Sequence, residues 1–408
     1  MDFTLNNEQR LLQESANSFI EKEYGFEARQ QVAAGDEGFS RAMWRRFAEL
    51  GWLAASLPEE HGGFGGSALD IAVLMEAFGR GLVLEPFVPT VILGGGLIAS
   101  AGSDAQKADL IPRLVEGELL LAFAHSEPHA RFDLARVETS AAINGDGYLI
   151  NGHKSVVLNA AAADKLIVSA RTSPQREGGR ESAAAGITLF LVDRETEGLT
   201  LRPYPTVDGL RAADVSLEDV RVGADDIIGQ IDGALPQIER VVDVATVALC
   251  AEAVGAMDGC VEATRDYLKI RSQFGVRLSS FQALQHRAVD MYIECEMSRA
   301  VAYRAAASID AALKDTDSTA RALAASVAKV QIGRSGRFVG QQAIQLHGAM
   351  GMTDELPVGH WFKRLCTIDT LFGNVDHHVE RFAALDAISP VVDVRSTQVG
   401  SLDSGGDG

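Results

Sequence analysis

Cysteine is scarce in this chain and placed badly for either a disulfide framework or a zinc site. The four present, Cys250, Cys260, Cys295 and Cys366, are spread over segments that read as helices and match no ligand spacing, so reduced core thiols are expected. Basic residues are also outnumbered, and the net charge is -19. Such a surface repels a phosphate backbone and no local basic strip compensates, which excludes sequence-independent nucleic-acid binding. The opening MDFTLNNEQRLL lacks a basic stretch followed by an apolar run, and no apolar segment reads as long enough to span a bilayer. A cytoplasmic protein is the expectation. What remains is ordinary for a globular chain, with 47% hydrophobic and 23% charged residues over 408 positions. That length implies two or three domains at about 150 residues each.

The hydrophobic period divides the chain. Over residues 1–117 the segments EQRLLQESANSFIEKEY, SRAMWRRFAELGW and LDIAVLMEAFGRG repeat apolar residues at helical spacing. The joint LPEEHGGFGGS is not GxGxxG and follows no strand, so it reads as a tight connector and not a phosphate cradle. Over 118–230 the period falls to two, in short β-branched runs with a hairpin signal at Asn151-Gly152 and a loop-like TSPQREGGRESAAAG. The helical period returns over 231–390 in four long segments, and 391–408 reads as a disordered tail. The expected fold is α+β and multi-domain, with an N-terminal helical domain, a middle antiparallel β domain and a C-terminal four-helix bundle.

One helix, YLKIRSQFGVRLSSFQALQ, breaks at Arg271 to Gly275. Together with LPEEHGGFGG, AHSEPHARFD and QLHGAMGMTDELPVG, in that overall order, the chain resembles the acyl-CoA dehydrogenase family, and within it the pimeloyl-CoA dehydrogenase small-subunit branch. The resemblance implies an FAD cofactor, an acyl-CoA substrate and electron-transfer flavoprotein as acceptor. It also implies assembly with a homologous subunit in a heterotetramer, or with itself in a homotetramer. It places Arg271 on the FAD diphosphate, Phe274 against the cofactor, and Gln282, Gln345 and Gly348 near the adenine, all across a subunit boundary. Ser126 is expected beside the flavin ring, with Asn374 also at the cofactor. A guanidinium grips two phosphate oxygens at once, and a glycine allows close backbone approach.

The same resemblance exposes what is missing. Dehydrogenation needs a carboxylate to take the α-proton while hydride leaves the β-carbon, and the two positions where the family carries it are Phe372 and Ala245. Neither accepts a proton. Val156 and Leu158 stand where the family has a flavin-contacting tryptophan and threonine, and Phe132 where it has a serine. The leading expectation is therefore a base-lacking subunit that completes a partner's FAD site. A self-sufficient enzyme with a relocated base, Asp376 or Asp243, is the alternative. Glu239 lies about 9 Å along the helix from Ala245 and is read as too far. A flavin monooxygenase on the same fold is a further alternative. The run Asp376-His377-His378 is not a metal site, because adjacent histidines on a helix point apart.

Overall fold

The computed structural model describes residues 5–174 and 185–388. The core of the loop expected at TSPQREGGRESAAAG, and the tail at 391–408, lie outside them. Helices α1 (Asn7–Glu23), α2 (Phe26–Ala34), α3 (Arg41–Glu49) and α4 (Ala68–Gly81) begin the N-terminal domain. A π-helical stretch Val88–Gly95 then runs into α5 (Gly96–Ala101), followed by α6 (Asp104–Val115). Reciprocal caps start three of these helices, Asn6 with Gln9, Ser67 with Asp70 and Ser103 with Gln106, each satisfying amides that the first turn leaves open. Phe19, Phe47, Trp52 and Phe78 meet ring to ring, with Phe47 and Trp52 centroids 5.0 Å apart, and form the aromatic floor of this domain.

The β domain comprises β1 (Leu121–Ala124), β2 (Ser140–Asn144), β3 (Gly147–Leu158), β4 (Lys165–Arg171), β5 (Ile187–Asp193), β6 (Leu199–Pro205), β7 (Arg211–Gly223) and β8 (Ile227–Ile228). Its sheet runs β6-β7-β3-β2-β4-β5-β8, and β1 pairs with β4 in parallel, a departure from the purely antiparallel expectation. The β2–β3 turn is at Gly145-Asp146, whereas Asn151-Gly152 lies inside β3 at a register shift. The misplaced hairpin has a physical reason: Asn151 uses its side chain on Asp219 across the ladder, not on its own turn.

Among the described residues the C-terminal domain has five α-helices where four segments were expected. They are α7 (Leu235–Ile270), α8 (Gln282–Lys314), α9 (Ser318–His347), α10 (Pro357–Thr370) and α11 (Val375–Ile388). Leu371 to Asn374 splits the last rod in two. Helix α7 is, against expectation, long and apolar enough to cross a bilayer by length and composition, but its most apolar stretch is mostly buried among neighbouring elements. Cys250, Cys260 and Cys295 are buried thiols as expected, while Cys366 is exposed.

Two glycines set how the N-terminal domain meets the bundle. A Cβ on Gly79 would sit 1.8 Å from the Glu252 carbonyl oxygen, and one on Gly255 1.8 Å from that of Glu76, so α4 and α7 touch backbone to backbone. Beside this crossing, buried Arg364 bonds both oxygens of Glu252 and reaches Asp208 Oδ2 at 2.7 Å, joining the bundle to the β domain. Arg29 of α2 adds a 2.9 Å bond to the Asp208 carbonyl. Gly255→Ala should therefore push α4 off α7 and cost at least about 1–3 kcal/mol. An unchanged urea midpoint would show that the crossing does not carry stability.

Candidate active-site cavity

A cavity of about 700 Å³ lies where the three domains meet. The β domain contributes His125, Ser126, Phe132, Val156 and Leu158, the N-terminal domain Pro89 and Leu93, and the bundle Glu239, Val242, Phe372 and His377. Five positions that the sequence singled out, Ser126, Phe132, Val156, Leu158 and Phe372, thus converge from three distant segments. A second cavity of about 330 Å³ adjoins it and shares Pro89, Val156, Leu158, Thr370 and Leu371.

Local chemistry holds each wall. The segment bearing Ser126 is pinned by a buried ion pair, Lys154 Nζ to Glu127 Oε1 at 2.7 Å, with Glu127 also accepting from the Glu138 and Thr139 amides. Burial pulls the Lys154 ammonium down to about 8, against the pull of Glu127. Burial pushes the Glu127 carboxyl up, but Lys154 and its hydrogen bonds outweigh that and leave it below its usual value. Ser126 O accepts from Ser155 N at 2.9 Å, and just beyond it a register shift between Lys154 and Val157 bulges β3. The bulge puts Val156 at φ +54°, turned into the cavity.

Opposite stands the turn Leu371 to Asn374. The buried Lys329 ammonium donates to the carbonyls of Asp369, Leu371 and Gly373, closing the end of α10. His378 Nε2 lies 3.2 Å from the Phe372 carbonyl and its Nδ1 3.3 Å from Ser326 Oγ. Burial, with Lys329 and His377 nearby, drives His378 down to about 2, so the ring is neutral and donates to Phe372. Phe372 itself is at φ +57°, and its ring centroid is 6.0 Å from that of His125, which in turn is 4.8 Å from Phe123.

The structure places the remaining candidates and corrects the reading of Glu239. Asp243 is fully buried with Oδ2 accepting from Arg321 Nε at 3.0 Å and Oδ1 2.6 Å from Arg381 Nη1, and it lines neither cavity. Asp376 is exposed at the start of α11 and also lines neither. Ala245 is wholly buried in the core. Asn374 caps α11, accepting from His377 N at 3.0 Å, and is not a wall residue. Glu239, read as too distant, does line the larger cavity, as does Glu380. Among the described residues no group of three potential ligands could hold a metal ion.

Sequence reasoning missed His125 altogether. Its signal was its place next to Ser126 on an extended segment that leaves β1, which was legible only once the Phe372 turn was known to face it.

Arg271, Phe274, Gln282, Gln345 and Gly348 lie elsewhere. All are exposed, and none lines either cavity. Phe274 is 90% exposed at φ +56° on the tip of a small hairpin, Ser272–Gln273 against Val276–Arg277, that ends α7. Tyr267 stacks on His347 at 4.5 Å, which pins the ends of α7 and α9 together and gathers Arg271, Phe274, Gln345 and Gly348 at one end of the bundle. Gly348 closes α9 at φ +59°.

Comparisons with known proteins agree with this architecture. Sequence profiles of the acyl-CoA dehydrogenase N-terminal, middle and C-terminal domains match residues 6–118, 122–220 and 235–384. The probable acyl-CoA dehydrogenase YngJ of Bacillus subtilis is 32% identical over 363 residues, 88% of this chain and 92% of that one. The caffeyl-CoA reductase-Etf complex subunit CarC of Acetobacterium woodii is 27% identical, across 90% of this chain and 94% of its own. Among solved structures, the Tcur3481-Tcur3483 steroid ACAD superposes with a TM-score of 0.82 at 30% identity, covering 95% of this chain and all of that one. The FAD complex of PigA does so at 0.84 and 26% identity, over 94% and 98%.

Burial and the Lys154 charge lower the His125 imidazole to about 4, so native His125 is neutral where the unfolded chain's histidine still titrates near 6.5. The native state then binds fewer protons, and stability is lost as pH falls from about 6.5 to about 4, by roughly 3 kcal/mol at most. His125→Gln should remove that share of the acid limb. Urea midpoints at neutral and acid pH check it, and an equal acid loss in variant and parent would refute it.

Proposed function

The chain belongs to the acyl-CoA dehydrogenase family, and from that premise we propose that it is the base-lacking subunit of a heteromeric enzyme, completing the FAD site of a homologous catalytic partner. The family's members are enzymes and their cofactor is FAD, which takes up the hydride leaving the acyl β-carbon. The residues here fit that cofactor in two separate parts. Val156 and Leu158 offer an apolar wall beside the Ser126 hydroxyl, which suits a flat ring. Arg271 and Phe274 suit a diphosphate and its neighbourhood, on a hairpin that projects from the molecule.

The carrying observation is Phe372. It occupies the turn from which the family's carboxylate would face the α-carbon, packed on His125 and backed by Lys329. Removing the α-proton needs an acceptor within about 3 Å of it, and a phenyl ring accepts none. Two further supports come from the relatives: one solved structure pairs two differently named chains as a steroid ACAD, and CarC is a subunit of an Etf complex. A heterotetramer that passes electrons to electron-transfer flavoprotein in the cytoplasm is the fuller form of the proposal. The likeness to the pimeloyl-CoA branch favours dicarboxylic or otherwise bulky acyl groups.

A second reading, a self-sufficient enzyme, now rests on Glu239, the α7 carboxylate that lines the cavity. Turnover by the lone chain that Glu239→Gln abolishes, with FAD retained, would establish it. On the leading reading the purified chain alone shows negligible acyl-CoA dehydrogenation and its complex with the partner is active. Arg271→Ala in this chain should weaken FAD retention in the complex about 10- to 100-fold, the loss of one charge-assisted contact. Full activity of the chain by itself would overturn the proposal.

A further inference from the structure

The larger and smaller cavities are separate spaces that share lining residues, Pro89, Val156, Leu158, Thr370 and Leu371, so whatever passes from one to the other passes these side chains. Helix α7 faces the larger with Val242 and the smaller with Leu249, seven residues on, which is about 10 Å along its axis. The constriction lies between.

Within this rim Val156 is the residue that the fold holds at a cost. Its backbone is at φ +54°, where a β-carbon is unfavourable and a β-branched side chain more so. Among the described residues Thr316 is the other β-branched one at positive φ, and it lines neither cavity. The bulge around Val156 is fixed on each side. Ser155 N donates to Ser126 O at 2.9 Å, Val157 pairs with Ala213 across the ladder, and Val156 N donates to Asp214 Oδ1 at 3.5 Å. Asp214 is itself held by Arg202 Nη2 at 2.6 Å and by the Tyr204 hydroxyl at 3.2 Å. Val156 keeps 47% of its surface exposed, so core packing does not account for a valine at a backbone that glycine would adopt freely. Backbone strain of this kind concentrates at ligand sites. A β-branched side chain also has little χ1 freedom, so on this fixed backbone its two methyl groups form a hard edge to the passage.

We infer that Val156 is a specificity-determining residue, which lets an unbranched apolar acyl chain run from the larger cavity into the smaller and stops one that is branched at the point of passage. Bulky groups then stay in the larger cavity. This rests on the reading of the larger cavity as the acyl thioester site, and it concerns binding, not turnover.

The test is calorimetric binding to the full chain purified without a partner, using butyryl-CoA, dodecanoyl-CoA and a set of dodecanoyl-CoA isomers in which one gem-dimethyl carbon is moved along the chain. Dodecanoyl-CoA should bind at least about tenfold tighter than butyryl-CoA, through the added apolar burial. Among the isomers, the branch that falls at the rim should cost about tenfold against the others, as overpacking at a rigid constriction does. Val156→Gly should erase that dip, whereas Val156→Asn, which tolerates the left-handed region and retains bulk, should keep it. Val156→Gly should also unfold at no lower a temperature than the parent, because it sheds backbone strain. A merely structural valine would instead lower that temperature and leave the dip in place. A profile without a dip, a dip that survives in Val156→Gly, or one lost in Val156→Asn as well, overturns the assignment. Dodecanoyl-CoA binding no tighter than butyryl-CoA overturns it too, while leaving the reading of the larger cavity intact. Failure of every probe to bind overturns that acyl reading itself.

Discussion

A single buried ammonium decides where α10 stops and what faces the cavity. Lys329 has no exposed surface, and it spends its three donors on the carbonyls of Asp369, Leu371 and Gly373, which the end of a helix leaves without partners. Its burial lowers its proton affinity to about 8, partly offset by Cys250 and Asp369, so it remains charged at neutral pH and the three bonds hold. The turn cannot shift without stranding either the charge or the carbonyls. Position 372 is therefore fixed in space whatever residue it bears. Its left-handed backbone costs a β-carbon-bearing residue about 1–2 kcal/mol, and phenylalanine bears that cost here without offering a proton acceptor in return.

Helix α7 gives the molecule a second constraint, distance. Glu252 lines the smaller cavity, and Arg271 ends the helix 19 residues later, about 28 Å away along its axis. The Tyr267–His347 stack keeps that end rigid and outward. The cavities and the exposed hairpin that carries Arg271 and Phe274 therefore lie apart in one copy of this chain. In the proposed arrangement the outward half serves a neighbour, so substitutions in the inward half, at Val156, Leu158 and Phe372, leave it untouched.

Much of this was legible beforehand where chemistry is local. The helical periods, the switch to period two near residue 118 and the break at Arg271 follow from side-chain spacing, and the structure follows them. Legibility failed where long-range partners decide. Asn151-Gly152 has turn-forming residues, but Asn151 is claimed by Asp219 on another strand. Asp243 has the chemistry of a base, yet Arg321 and Arg381, from helices remote in sequence, bury and pair it. Glu239 was dismissed on rise along a helix alone, although a carboxylate near a helix start can reach a cavity from the side. His125 shows no pattern at all, since what matters is its contact with a ring 247 positions away.

That contact also decides whether His125 could stand in for the absent carboxylate. An imidazole beside the right position is the obvious substitute, because its ordinary proton affinity lies near neutrality. Here the ring is wedged between Phe123 and Phe372, and the buried Lys154 charge adds to its desolvation, bringing it down to about 4. An acceptor that weak is poorly matched to abstracting a proton at neutral pH, where efficient bases titrate close to the operating pH. The ion pair that positions Ser126 is thus the same one that suppresses the nearest imidazole. Keeping Lys154 buried beneath the segment holds the Ser126 wall and at once leaves the cavity without a competent base from that side, which is why the proposed function looks to a partner chain for the proton acceptor.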